Sequence, residues 1–171
     1  MLYSSNRLAL GEGIMLRRRH FLMAGGYALV MTASPRLGLA SASGVGSRTD
    51  AEWRSLLTPE QFAVLRQAQT EQPYSSPLTD EKRRGMYACS GCGQEVFSSQ
   101  TKYNSRTGWP SFWRPRPNTV RQKRDRSEGL DRTKVECSRC DCHLGHVFGD
   151  GPPPTRLRYC LNGAGLKFTP A

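Results

Sequence analysis

The sequence predicts a small, mainly antiparallel β-domain that begins with short helices. From residue 85 onward, short β-type runs are separated at close intervals by Gly, Pro, Asn and Ser. One segment with helix start signals precedes these runs, and two Cys-x-x-Cys pairs lie among them. A β-domain of this size has a thin hydrophobic core, so a covalent or metal staple through the cysteines is physically reasonable.

The composition excludes several classes of protein. The chain has 171 residues, 37% of them hydrophobic, with 17 Gly, 6 Cys and a formal net charge of +11. This length gives room for one domain, or for one domain plus an extension. The modest apolar content and the glycine count exclude a multi-span membrane protein, a coiled coil and a collagen-like chain.

Residues 1–42 resemble a cleavable export signal. A basic cluster at 17–19 precedes an apolar run at 21–33, and small residues at 40–42 form an Ala-Ser-Ala cleavage site. The apolar run is too short to span a membrane, which takes about 20 residues. The last two arginines, with Phe-Leu shortly after them, resemble a twin-arginine signal. We expect export by that route to the periplasm, with membrane contact only during export; the alternative is a disordered basic tail.

The basic excess does not predict nucleic-acid binding. Cleavage after Ala42 removes five arginines and one glutamate, which lowers the net positive charge. The remaining basic residues are spread along the chain and are densest at 121–126, a polar run typical of a solvated loop or hairpin. We therefore expect no nucleic-acid partner.

The rest of the chain divides into a Gly/Ser-rich flexible linker at 43–50 and a domain at 51–171. A helix is predicted at 59–68, because Thr58 can cap it and Gln61 can complete a capping box. Its apolar side, which should pack on a sheet, comprises Phe62, Val64, Leu65 and Ala68.

A shorter helical or turn element is predicted ahead of that helix, where Trp53, Leu56 and Leu57 should help to anchor it. The predicted strands lie at 86–88, 95–97, 135–137, 146–148, 157–161 and 166–169.

Two Cys-x-x-Cys pairs form a candidate zinc site. Cys89 with Cys92, and Cys137 with Cys140, each lie at a strand–turn junction and can reach one metal ion. The 44 residues between the pairs are tolerable, because loop-closure entropy grows slowly with length. Strained disulfides or a redox-active pair are the alternatives in an oxidising compartment. We expect one structural zinc ion per chain, since the twin-arginine route carries folded proteins.

Outside these pairs, Cys160 is a candidate reactive thiol. It lies in a strand-like run in which Arg158, Cys160 and Asn162 point to the same side. Arg158 would favour the nucleophilic thiolate, and Asn162 can donate or accept hydrogen bonds. The alternative is an unreactive, buried cysteine.

Two histidines strengthen the case for a Cys/His centre. His143 and His146 flank a Leu-Gly pair, so a turn at Gly145 would aim both imidazoles into one site. The alternative is that both histidines are structural. The aromatic stretch at 108–113 is either plain core or an apolar wall for a methyl-bearing substrate, since sulfur–aromatic contacts are favourable.

Taken together, these motifs resemble the peptide-methionine (R)-sulfoxide reductase family. The resemblance extends from about residue 53 to residue 168. The matching segments are Cys89-x-x-Cys92, Gly108-Trp109-Pro110-Ser111-Phe112, Cys137-x-x-Cys140, His143-Leu144-Gly145-His146-Val147-Phe148, Asp150-Gly151-Pro152, and Arg158-Tyr159-Cys160 with Asn162.

The resemblance implies two antiparallel β-sheets in a tent-like arrangement, with zinc held away from the active site. The implied reaction returns methionine (R)-sulfoxide in proteins or peptides to methionine. In it, Cys160 attacks the sulfoxide sulfur and becomes a sulfenic acid. Trp109, with Phe112, would form the methyl pocket. The implied catalytic residues are Cys160, His146, His143, Asn162 and Arg158.

One position departs from the family pattern. Many members carry a resolving cysteine just before Gly-Trp-Pro-Ser-Phe, and this chain has Thr107 there. The usual internal disulfide with Cys160 cannot form, so a thioredoxin-like protein or another external thiol would reduce the sulfenic acid. The alternative is a resolving role for Cys142, although neighbours along a strand point to opposite faces and favour an inert, packed thiol.

Two classes of function remain open from the sequence. The first is an exported, monomeric repair enzyme for oxidised proteins. The second is a zinc-stapled β-module that binds partners without catalysis. A pure binding module has no need for the reactive thiol and its polar neighbours, and this favours the enzyme.

Overall fold

The structure is a computed structural model that describes Arg48–Ala171. The expected signal at 1–42 and most of the expected linker at 43–50 lie outside these residues. Neither helix between Arg48 and Ala171 has the length and apolar character that crossing a membrane requires.

Two short helices open this part of the chain, α1 (Asp50–Leu56) and α2 (Pro59–Gln67). Each begins with a capping box. In α2 the Gln61 amide donates to the Thr58 hydroxyl, and the Gln61 side chain accepts from the Thr58 amide, as predicted. Ala68 ends α2 in the left-handed conformation.

The described residues form nine strands in two antiparallel sheets, which confirms the predicted fold class. The strands are β1 (Gly85–Cys89), β2 (Glu95–Ser98), β3 (Lys102–Tyr103), β4 (Ser111–Phe112), β5 (Val120–Asp125), β6 (Arg132–Cys137), β7 (His143–Phe148), β8 (Arg158–Leu161) and β9 (Leu166–Pro170). One sheet has the order β2-β1-β9, and the other has the order β3-β4-β8-β7-β6-β5.

All six predicted strands are present, whereas β3, β4 and β5 are additional. Two-residue strands such as β3 and β4 give no periodic signal. β5 is an edge strand with four consecutive exposed residues, so its sequence shows no alternation. It forms a hairpin with β6. Residues 121–126 were expected to form either a solvated loop or a hairpin, and the hairpin is the one present.

The core contains a cluster of buried aromatic rings. Tyr87 and Phe112 pack edge to face with their centroids 4.9 Å apart, and the Phe97 and Phe112 centroids are 4.6 Å apart. Trp53 and Leu57 bring the helices into this core. Leu56 is 58% exposed, so the expectation that it anchors the first helix is wrong. Trp53 and, four residues on, Leu57 fill the inner side of this element instead.

Candidate active site and metal centre

The thiol of Cys160 lies in the middle of the six-stranded sheet. On β8, Tyr159 and Leu161 enter the core, so Cys160 between them points to the opposite face. Cys160 pairs with Ser111 on β4 and with His146 on β7, and these three residues form one row across the sheet. Cys160 is a free, partly exposed thiol. The sheet therefore places an imidazole beside a thiol on an open face.

Burial is the strongest influence on the Cys160 thiol, and it raises the pKa above the ordinary value of 9.0. Three neighbours, Thr107, Arg158 and Ser111, oppose this shift by favouring the thiolate. The Thr107 hydroxyl lies 3.8 Å from the sulfur, and the Arg158 guanidinium contributes positive charge. Arg158 thus acts in the direction expected from the sequence, but burial outweighs it. The thiol rests in its neutral form at neutral pH.

A cavity of about 140 Å³ adjoins Cys160. Trp109, His146 and Asn162 also line it, so tertiary structure brings together four of the residues proposed from the sequence. Phe148 adds a second aromatic side chain to the lining. The mixture of apolar rings and a few polar groups suits a side chain that has an apolar end and one polar atom.

His146 is held by a carboxylate that sequence reasoning missed. Its Nε2 atom lies 2.8 Å from Oδ2 of Asp125, at the end of β5. The other oxygen of Asp125 accepts from the amide and the hydroxyl of Ser127. These hydrogen bonds, that of His146 first, hold the pKa of Asp125 well below its usual range. No sequence signal identified Asp125, because it follows an exposed run of charged residues.

A bulge in β7 places both histidines on the same side of the sheet. Val135 pairs with Gly145, whereas the next residue of β6, Glu136, pairs with His143, so β7 has one extra residue. Without the bulge, residues three apart would face opposite sides. Gly145 has φ of 153°, and a Cβ there would lie 2.2 Å from the Cys160 carbonyl oxygen. The predicted turn at Gly145 is therefore a bulge within a strand.

The two imidazoles differ in their surroundings. Their ring centroids are 5.2 Å apart, but only His146 lines the cavity. His143 is 4% exposed, and neither of its ring nitrogens has a hydrogen-bond partner among the residues described. Burial lowers the pKa of His143 to about 4, so it is neutral at pH 7. His143 therefore lies behind His146 rather than beside the thiol.

Arg158 is fixed by a carboxylate and an aromatic ring. Its Nε and Nη2 atoms donate to the two oxygens of Asp150, at 2.9 and 2.8 Å. Its guanidinium carbon lies 4.3 Å from the centre of the Phe148 ring. The bidentate pair sets the position of the positive charge near Cys160.

Asn162 and Trp109 are joined by one backbone unit. Asn162 is buried, and its Oδ1 accepts from the amide of Glu71, while the Trp109 indole N–H donates to the carbonyl of Glu71. Asn162 also donates to the carbonyl of Leu144. Glu71 was not identified from the sequence, because its role depends on contacts across 91 residues.

Phe112 does not reach the cavity, in contrast to its expected role in substrate binding. Ser111 and Phe112 are neighbours on β4 and must face opposite sides of the sheet. Ser111 lies in the row of Cys160, so Phe112 enters the core, where it is fully buried against Tyr87 and Phe97. Trp109 and Phe148 provide the aromatic lining instead.

The four paired cysteines converge on one point. Their sulfur atoms all lie within 4.8 Å of one another, with Cys89 and Cys140 at 3.7 Å and Cys92 and Cys137 at 3.5 Å. A tetrahedron with metal–sulfur bonds of about 2.3 Å requires sulfur–sulfur distances of about 3.8 Å. Each of these two short distances joins a sulfur atom of one Cys-x-x-Cys pair to a sulfur atom of the other pair. All four are free thiols, as a single metal site requires. The four residues could hold a metal ion.

Cys142 lies at this cluster and not at the cavity. It is fully buried, and its sulfur would be 2.8 Å from a Cβ on Gly91, in the turn of the first pair. Cys160, by contrast, lines the cavity on the open face of the sheet. This placement matches an inert, packed thiol.

The chain is similar to several known proteins. The SelR domain matches residues 57–170. A peptide methionine sulfoxide reductase MsrB of Agrobacterium fabrum is 46% identical over 125 residues, covering 72% of this chain and 93% of that protein. The MsrB of Leifsonia xyli is 52% identical over 126 residues, covering 72% and 91%.

The chain is also similar to two further proteins. The MsrB of Methanosarcina barkeri is 52% identical over 122 residues, covering 71% of this chain and 86% of that protein. A crystal structure of the Mis18 "Yippee-like" domain aligns with a TM-score of 0.42 at 22% identity, covering 52% of this chain and 98% of that one. The matched region contains the cavity, the thiol and the four clustered cysteines, and the chain belongs to the SelR family of peptide methionine sulfoxide reductases, type B.

Proposed function

We propose that this domain reduces methionine (R)-sulfoxide in proteins back to methionine, with Cys160 as the nucleophile. The observation that carries the assignment of the nucleophile is the position of Cys160, a free and partly exposed thiol in a cavity shared with Trp109 and His146. Membership of the SelR family supports the same reaction.

The reaction requires a nucleophile, a proton source and an apolar methyl pocket. The sulfur of Cys160 attacks the sulfoxide sulfur, and an acidic group of the site passes the proton that leaves the thiol to the sulfoxide oxygen. The oxygen is transferred to Cys160, methionine leaves, and the cysteine becomes a sulfenic acid. Methionine sulfoxide is thereby reduced by two electrons, and Cys160 is oxidised by two.

The chain's residues divide this work. Trp109 and Phe148 receive the methyl group, which fits their apolar faces. His146, oriented by Asp125, serves as the acid at the sulfoxide oxygen, because it lines the cavity and adjoins Cys160 across the sheet. Arg158 supplies positive charge that favours the thiolate.

An external thiol completes the cycle. It attacks the sulfenic acid of Cys160, releases water and forms a mixed disulfide, and a second thiol then frees Cys160 and leaves as a disulfide. Thr107 occupies the position where family members often carry a resolving cysteine, and its hydroxyl lies near the sulfur. Cys142 is buried beside the four clustered cysteines, so it is not expected to resolve the sulfenic acid. We therefore propose a thioredoxin-like dithiol as the reductant. The enzyme is proposed to act as a monomer.

Zinc is the metal we propose for the four clustered cysteines. Four thiolates in a tetrahedron are typical of structural zinc, and the distances fit. Cys89 and Cys92 come from the first sheet and the turn after it, whereas Cys137 and Cys140 come from the second sheet and its turn. A bound ion would therefore tie the two sheets together, and it would take no part in the reaction.

Export is also part of the proposal. Support comes from the sequence alone: the arginine pair, the short apolar run and the Ala-Ser-Ala site. A folded, metal-loaded domain is compatible with the twin-arginine route.

A stereochemically resolved assay tests the function. With a chemical dithiol as reductant, the wild type should reduce peptide methionine (R)-sulfoxide and leave the S form unchanged, and Cys160→Ser should show no turnover. Cys142→Ala is the matched control, because it removes a thiol outside the cavity. Full activity of Cys160→Ser removes Cys160 from the mechanism. A folded wild type without any turnover would indicate a binding module.

A further inference from the structure

The segment at 70–76, which we call the strap, contacts two parts of the active site that are far apart in the sequence. Thr70 lines the cavity beside Cys160, and the amide of Tyr74 donates to the carbonyl of Gly108 at 2.7 Å. At its other end, Ser76 packs so closely on Gly163 that a Cβ there would lie 2.3 Å from the Ser76 Cβ. The strap thus contacts the turn before Trp109 and the turn after Asn162.

Glu71 is the residue that ties the strap to both turns. Its two carboxylate oxygens accept from the amides of Gly163 and Ala164, at 2.6 and 2.7 Å. Its own amide donates to Oδ1 of Asn162 at 3.0 Å, and its carbonyl accepts from the Trp109 indole at 3.1 Å. One residue therefore makes four hydrogen bonds to groups at 109 and at 162–164.

The carboxylate is buried, which indicates a specific role. Glu71 is 7% exposed, and burial raises its pKa, although the two amides act against the shift. Burying a carboxylate costs free energy unless hydrogen bonds satisfy it. An apolar residue would fill the same space without that cost, but it could not hold two adjacent backbone amides.

We infer that Glu71 is a positioning residue that fixes the Trp109 indole over the methyl end of the substrate. The hydrogen bonds from the amides of Gly163 and Ala164 to the Glu71 carboxylate hold the Glu71 backbone in place. The carbonyl of Glu71 then holds the Trp109 indole through the N–H that donates to it. This inference rests on the proposed function, because it assigns the indole to the substrate's methyl group. Glu71 itself does not line the cavity, and it contacts the lining only through its backbone hydrogen bonds to Trp109 and Asn162.

The test compares Glu71→Gln with a matched control. Gln keeps one acceptor but turns an N–H toward the second backbone amide, so the anchor is lost. We expect kcat/KM for a methionine (R)-sulfoxide peptide to fall about tenfold or more, while the rate of Cys160 alkylation by iodoacetamide changes less than about twofold, because that reagent needs no methyl pocket. Glu60→Gln removes a carboxylate from an exposed residue that lines the same surface groove as Glu71, and it should leave both rates unchanged.

A double-mutant cycle separates positioning from general loosening. In a Trp109→Phe background, which lacks the indole N–H, Glu71→Gln should reduce kcat/KM by less than about twofold. Equal losses in both backgrounds, or a parallel change in the alkylation rate, would overturn the inference. If Glu71→Gln does not fold, Glu71→Asp enters the same cycle, because its shorter carboxylate shifts the anchor. Failure of the wild type to turn over the peptide would instead count against the function itself.

Discussion

Nε2 of His146 and Oδ2 of Asp125 are 2.8 Å apart, although their strands are separated by β6 in the sheet. The contact is possible because Asp125 ends β5 at the hairpin, where the chain can turn toward the open face. The Ser127 amide and hydroxyl hold the other carboxylate oxygen in place. The acid of the proposed reaction is therefore oriented by a carboxylate, an arrangement that also occurs at other catalytic histidines.

Replacing Asp125 with Asn should lower kcat about 10²-fold, because His146 loses the charge that orients its ring. Steady-state kinetics with a dithiol reductant would measure the effect. Asp131→Asn removes an exposed carboxylate paired with Arg124 and serves as the control. An unchanged kcat in Asp125→Asn would show that the pair has no role in proton transfer.

The reactivity of Cys160 should rise with pH beyond pH 9. Burial raises its pKa above 9.0 and favours the neutral thiol, so the thiolate forms only at higher pH. Thr107→Val removes a hydroxyl that favours the thiolate and should move the midpoint upward, whereas Thr107→Ser should leave it in place. Alkylation with iodoacetamide across pH measures both midpoints. A midpoint that moves downward in Thr107→Val contradicts the role of the hydroxyl.

Buried His143 should make the fold less stable in acid. Its pKa is about 4 in the folded chain and about 6.5 in the unfolded chain. The unfolded state therefore binds the extra proton first, and stability falls as pH decreases from 6.5 to 4, by about 3 kcal/mol in total. Denaturant unfolding of the wild type and of His143→Asn would measure the difference. If both proteins lose the same stability over this window, His143 does not titrate as its burial indicates.

Loss of one clustered cysteine should unfold the domain or weaken it severely. In Cys137→Ser the metal loses a ligand, and with it a large part of the roughly 10 kcal/mol that a structural zinc site contributes. Metal analysis should give one zinc per chain for the wild type. Cys142→Ala should keep the zinc and lose only about 1 kcal/mol or slightly more. A metal-free wild type with the native fold and full stability would exclude the structural role.

Export should depend on the arginine pair. Replacing Arg18 and Arg19 by Lys should retain the protein in the cytoplasm, whereas the control Arg7→Lys should not. Cell fractionation and the mass of the mature chain provide the readout, with cleavage expected after Ala42. Equal periplasmic amounts of both variants would contradict the twin-arginine route.

The residues predicted correctly are those whose signals are local. The capping box of Thr58 and Gln61 depends on a spacing of three residues, and a Cys-x-x-Cys pair brings two sulfur atoms together through one turn. The alternation on β8 placed Arg158 and Cys160 on one side, because the period of a strand is two, and Asn162 follows directly after the strand. Six strands were recognised because they contain short runs of residues that favour β-structure. The two-residue strands β3 and β4 are too short to give such a signal.

Other features depend on contacts between distant segments, which no spacing along the chain encodes. Phe112 was expected at the substrate but lies in the core, because its neighbour Ser111 is in the same row as Cys160. Asp125 contacts His146 from the end of a hairpin, and Glu71 contacts Trp109 from the strap. Neither segment has a periodic sequence pattern that predicts these contacts. Local patterns thus indicated which thiol is the proposed nucleophile and which thiols could hold a metal ion. Sheet register and loop packing decided what surrounds that nucleophile, since those depend on contacts across as many as 93 residues.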